Sequence, residues 1–194
     1  MNAKQLFFER YHGFREYPEL LVDGLTDQQL CQSPHPTLNP IAWLLWHTAR
    51  CEDVAVNRLL TDGVEVLNRD SWLSRLGASP REIGTGMTRA EVVALCEEIH
   101  LPELLGYRQA VTGQTEQIVA SLPPEELSLP VDIERLRQVL SVEGAGGRKA
   151  EWLIEAYSGH TRGWLLGHLV LTHHYYHIGQ AFAIRSMYGM TNPW

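Results

Sequence analysis

The chain has 194 residues, 44% hydrophobic and 20% charged, enough apolar material for one self-sufficient core and too much for a disordered chain. A formal net charge of -7 excludes the basic face that nucleic acid or an anionic membrane surface requires. No stretch approaches the ~20 apolar residues that span a bilayer, and Met1 to Glu9 lacks a basic-then-apolar leader, so a single cytoplasmic domain over 1–194 is expected.

In chain order, Phe7, Tyr11, Phe14, Leu21 and Leu25 recur at steps of three, four or seven, the period of one helix face. They predict a first helix across 6–25, in which Pro18 marks either a kink or the true first turn. The Pro-rich segment 32–40 reads as a loop. Asn39 is the expected N-cap and Pro40 the proline of the first turn of a second helix that runs from about Ile41 to Leu60 and is closed by Asp62-Gly63. From there to Gly86 the chain is rich in Gly, Ser and Pro, the composition of a long surface connection able to cover a site. Thr88 with Glu91 forms a capping-box pattern for a third helix to about Leu122, with Pro102 a candidate break and Pro123-Pro124 the stop. Between Glu125 and Tyr157 a short helical pattern around 133–140 and a Gly144 to Gly147 turn are legible. Thr161 to Met187 is a strong helical run with Gly189 as its C-cap. Sustained period-two alternation is absent from the sequence. The expected fold is therefore all-α: an antiparallel four-helix bundle with long cross-connections and a partly helical insertion before the last helix.

The nine histidines and six tryptophans cluster in the apolar helical stretches. On an ideal helix, at ~100° per residue, His173 and His177 lie about 40° apart and one turn from each other. They share a face with Leu166, Leu169, Gln180 and Ile184, which should point inward. His47 lies on the face of Trp43, Cys51, Val54 and Arg58 and can complete a triad. Three neutral imidazoles suit zinc, nickel or ferrous iron and leave coordination positions open. A metal so held lowers the pKa of a bound water or thiol. By spacing alone, HxxxH more often describes two hydrogen-bonded core or surface histidines than a metal site. His174 stands about 100° from His173, toward a less apolar face, and His168 about 140° off the ligand face.

Other side chains carry paired readings. Gln180 can hold a ligating imidazole or pack in the core. Arg50 can anchor an anionic substrate or lie on the surface. Cys51, one turn from His47, is a fourth ligand or core filler. Trp43, Trp46 and Tyr176 line an aromatic pocket or pack in the core. Asp53, about 120° from His47, makes only a speculative general base. Cys31, Cys51 and Cys96 form no CxxC pair and fit reduced thiols.

Two motifs in order bring a resemblance into view. Gly24-Leu25-Thr26-Asp27-Gln28-Gln29-Leu30, followed after the Pro-rich loop by Asn39-Pro40-Ile41-Ala42-Trp43-Leu44-Leu45-Trp46-His47, resembles the DinB-like superfamily. His173-His174-Tyr175-Tyr176-His177-Ile178-Gly179-Gln180 is similar to that family's last-helix motif. The resemblance implies a four-helix bundle, commonly dimeric, with one divalent metal held by His47, His173 and His177. Similar proteins include thiol S-transferases that use bacillithiol or mycothiol. The expected function is thus a divalent-metal-dependent enzyme acting on a small molecule, a thiol S-transferase or hydrolase, with a low-molecular-weight thiol as candidate co-substrate. The alternative is a non-catalytic metal-binding or dimerisation module of a stress-related protein. The segments Leu67 to Gly86 and Glu125 to Tyr157 carry no motif of the family.

Overall fold

In the computed structural model, residues 2–77 and 80–192 are described; Met1 and residues 78 and 79, in the expected surface connection, lie outside the described residues. Helix α1 (Ala3–His12) is capped reciprocally by Asn2 and Gln5. The chain then breaks before α2 (Tyr17–Val22), whose first turn contains Pro18. Proline's missing N–H costs nothing there, so Pro18 starts a helix rather than kinking one. A short α3 (Asp27–Cys31) follows, opened by a Thr26/Gln29 capping box.

Helix α4 (Ile41–Asp53) begins at Ile41, as expected, but its cap differs. Pro40 occupies the cap position without any side-chain cap bond, and Asn39 stays outside. All 13 residues of α4 are buried, so this helix is wrapped on every side and is the axis of the molecule. It continues as a π-helical turn, Val54–Leu60. The connection after it holds a 3-10 turn, Val66–Asn68, and a one-turn α5 (Trp72–Arg75).

The single third helix of the sequence reading is two helices. Helix α6 (Arg89–Glu98) opens on the Thr88/Glu91 box. Helix α7 (Leu101–Ser121) carries Pro102 in its first turn, where a helix can start but not continue. The segment before the last helix contains α8 (Ile133–Arg137), extended by a π turn, Gln138–Val142, and an additional helix α9 (Ala150–Tyr157). The final run consists of α10 (Arg162–Leu166), a π turn Gly167–Thr172 and α11 (His173–Met187), capped by the Thr161 side chain on the Trp164 N–H at 3.1 Å.

Contacts between helices fix their directions. Arg162 reaches the Leu60 carbonyl while His173 meets His47, so the last helix runs antiparallel to α4. Lys4 reaches the Ala120 carbonyl at 2.9 Å and Gln109 reaches Glu19 at 3.2 Å, so the first arm runs antiparallel to α7. Arg108 reaches the Leu45 carbonyl at 2.7 Å, and Thr115 donates to Glu52 at 2.6 Å, so α4 and α7 run the same way. The bundle is therefore up, down, down, up, and the long connection 61–100 is what returns the chain for the second downward helix. The insertion builds a core of its own, with Leu136, Val139, Leu153 and Tyr157 closing over Cys51, Val54 and Leu169.

Glu52 lies where the four arms meet. Its carboxylate accepts from Tyr11 of α1 and from Thr115 of α7 and lies 3.2 Å from His174 Nε2 of α11. Burial pushes its pKa up from 4.5 to about 7, against the pull of those hydrogen bonds. A carboxyl whose folded value exceeds its unfolded value stabilises fully below the unfolded value, and that contribution is lost as pH rises through the folded one. The neutral isostere Glu52→Gln should therefore gain melting temperature relative to the parent progressively between pH 4.5 and about pH 7. A difference that stays constant across this window contradicts the assignment.

Candidate metal centre

Helix α4 presents His47, and α11 presents His173 and His177 from its first two turns. His173 Nε2 lies 3.2 Å from His47 Nε2 and 3.0 Å from His177 Nε2. One nitrogen from each residue falls within 4.8 Å of the other two. His47 is 4% exposed, and the other two are half-buried.

The outer ring nitrogens set the tautomers. His47 Nδ1 donates to the carbonyl of Ile83, a pure acceptor, so its Nε2 is left as a bare lone pair. His177 Nδ1 donates to Gln180 Oε1 at 2.7 Å, with the same result. Two lone pairs are thus aimed at the nitrogen of a third ring, and His173 could donate to only one of them. Its own Nδ1 is buried with no hydrogen-bond partner. A cation accepting all three Nε2 atoms resolves this, and nitrogen ligands ~2.0–2.1 Å from a tetrahedral zinc stand about 3.4 Å apart. The residues fit the group.

Burial also keeps the rings neutral, the form a metal binds. His47 is held at about 3 by burial and then by His177, His177 is lowered by burial, and His173 is driven further down by burial and its histidine neighbours. Replacing Gln180 with leucine removes the acceptor that orients His177. Metal affinity should then fall by about 10- to 100-fold, read by competition with a chromogenic chelator; an unchanged affinity would place Gln180 in packing alone.

Ile83 sits in the connection that sequence reading treats as a cover. The Ile83 N–H bonds to the Ala145 carbonyl at 2.9 Å. The next residue, Gly84, has φ +87°, and a Cβ there would stand 2.5 Å from a Trp46 ring carbon. Only glycine allows the loop to pass over the ring and return its carbonyl to His47. Trp43 stacks on His47 with centroids 4.5 Å apart and 17° between planes, and its N–H points at Met87 Sδ at 3.4 Å. Trp46 is buried in the core. Tyr176 is exposed and touches His177 edge-on.

Arg50 departs from both of its readings. It is neither a surface arginine nor free to hold a substrate: it is fully buried, bonded to Asp53 (3.2 Å), Tyr107 (3.1 Å), Glu65 (2.7 Å) and the Arg81 carbonyl (2.6 Å). Asp53 accepts from Arg50, Asn57, Tyr107 and the amides of Val66 and Leu67, which leaves it no role as a base at the triad. Cys51 Sγ lies 3.7 Å from His47 Nδ1, a ring nitrogen already donated to Ile83, and burial raises its thiol pKa. His174 does not face a less apolar side. It is 1% exposed and bonds the Thr48 carbonyl at 3.1 Å.

His168 is the clearest correction. The ideal-helix angle turns it away from His173, but the intervening π turn closes with the His173 N–H on the His168 carbonyl. A five-residue turn returns the side chain to the same side. His168 lines a cleft of about 410 Å³ together with His47, His173, Cys51, Tyr157 and Trp164. Thr85 and Trp152 also line it. For Trp164 and His168 the one sequence signal is their spacing with His160 at intervals of four.

The sequence profile of the DinB superfamily matches residues 11–181. The crystal structure of a conserved protein from Enterococcus faecalis is similar in fold, with a TM-score of 0.72 and 20% identity, over 98% of this chain and 99% of that one. No curated protein matches.

Proposed function

The chain belongs to the DinB superfamily, and from that membership and the site's geometry we propose that His47, His173 and His177 hold one divalent metal ion at which a small molecule reacts. The observation that carries this is the pair of fixed tautomers, which leaves the bare nitrogens of His47 and His177 converging on His173, beside an open cleft that His47 and His173 line. Zinc, nickel and ferrous iron suit an all-imidazole set. When bound, the metal lowers the pKa of a thiol or a water and so supplies a nucleophile near neutral pH.

The chain's own groups do the rest. Ile83 and Gln180 keep two rings aimed, and Trp43 shields one face of His47. Cys51, Tyr157 and Leu169 give the cleft a weakly polar wall that limits competing water. The reaction class is S-transfer of a low-molecular-weight thiol to an electrophile, or hydrolysis. Cytoplasmic location and a homodimer belong to the same proposal. The other reading, a non-catalytic metal-binding or dimerisation module, has less support because two of the three histidines, His47 and His173, line an open cleft.

The test is turnover by protein loaded in turn with zinc, nickel and iron(II), on panels of thiol plus electrophile and of esters and amides. Metal-dependent turnover that disappears in His173→Ala is expected. Stoichiometric metal binding with no turnover on either panel would refute the enzyme and leave the binding module.

A further inference from the structure

The wall of the cleft is a stack of rings that ends beside the triad. His160 and Trp164 stack with centroids 3.7 Å apart and 8° between planes, and Trp164 and His168 with 4.7 Å and 11°. Both faces of Trp164 are therefore covered. His168 has one face on Trp164 and meets Tyr157 obliquely at 64°, while its remaining surface lines the cleft one π turn below His173. From α9 comes Trp152, which is 59% exposed although it lines the same cleft. A large indole left in water gains when a ligand covers it.

The charges are equally directive. Among the described residues no Asp, Glu, Lys or Arg lines this cleft, and Arg50, the basic residue nearest in sequence to His47, is consumed in the core. A carboxylate, phosphate or sulfonate seated against this wall would lose hydration with no counter-charge among the lining residues. A flat, uncharged ring would lose little and gain stacking and apolar contact.

We propose that the cleft over the triad takes a substrate whose body is a neutral, planar aromatic group, seated between His168 and Trp152 as the next rung of the ladder. This rests on the metal-dependent reading for where the reacting end lies, but the recognition is done by the rings and by the absence of charge. Anionic thiol conjugates are disfavoured as occupants of this wall.

The test uses the full-length protein, chelator-treated and zinc-loaded, with two matched probes, 2-naphthol and naphthalene-2-sulfonate, titrated by calorimetry and tryptophan fluorescence. Naphthol should bind about tenfold tighter than the sulfonate or better in the chelated protein. Each of His168→Ala and Trp152→Ala should weaken naphthol about fivefold, and zinc uptake should be unchanged in Trp152→Ala, whose exposed side chain is not needed for folding. Equal or tighter binding of the sulfonate to the chelated protein overturns the proposal, as does unchanged naphthol affinity in both variants. If zinc fails to bind while the naphthol preference and its loss in the variants persist, the metal reading falls and the aromatic cleft stands.

Discussion

His173→Ala is expected to lose the bound metal outright while the bundle stays folded. His173 Nε2 is the hub of the triad, within 3.2 Å of His47 Nε2 and 3.0 Å of His177 Nε2; without it two imidazoles remain, short of the three protein ligands of an open catalytic site. Elemental analysis should fall from about one ion per chain to background. The fold should tolerate the change because His173 is half-buried, stands outside both apolar clusters and makes no hydrogen bond through Nδ1. His47→Ala should lose the metal too, but with a larger drop in melting temperature. It removes a buried ring stacked on Trp43 and frees the Ile83 carbonyl. Unchanged metal content in either variant contradicts the triad.

The largest stability effect belongs to Asp53→Ala. This carboxylate is fully buried, pairs with the equally buried Arg50 at 3.2 Å and accepts the Tyr107 hydroxyl at 2.6 Å. It also takes the Val66 and Leu67 amides at 2.8 and 2.9 Å, which ties the start of the long connection to α4. Removing one partner of a buried pair leaves an uncompensated charge and costs about 3–5 kcal/mol. In a chain of this size that is a fall of roughly 6–20 °C in melting temperature. Glu65 still contacts Arg50 at 2.7 Å, which places the expected loss toward the lower end. Hydrogen exchange at the Val66 and Leu67 amides should accelerate together. A variant that melts like the parent would remove Asp53 from the framework.

What could be read in advance follows from what is local. Capping boxes, proline starts and apolar periods act within a few residues, so Thr88, Thr161 and the course of α4 and α11 were legible, and so was the pairing of His173 with His177 one turn apart. The helix breaks at 13–16 and 99–100 were legible only as alternatives, because proline marks a start and a break with the same letter. Contacts brought about by the long connection were not legible. Arg50 and Asp53 look like ordinary charged residues until Val66, Leu67 and Tyr107 arrive around them, and nothing near Ile83 signals that its carbonyl fixes a histidine 36 residues earlier. His168 was misplaced for a different reason. Angles of ~100° per residue assume an unbroken α-helix, and a single π turn undoes them. The insertion's α9, which carries Trp152 and Tyr157 to the cleft, has no cap motif and opens on Lys149 without a side-chain bond.

Everything proposed for the site rests on one metal ion held by His47, His173 and His177. Anomalous diffraction from crystals of metal-loaded protein, collected on both sides of the metal's absorption edge, tests it most directly. One strong peak is expected about 2.0–2.1 Å from the Nε2 atom of each of the three histidines. A peak bound elsewhere, or none at the triad in protein that carries metal in solution, would contradict it.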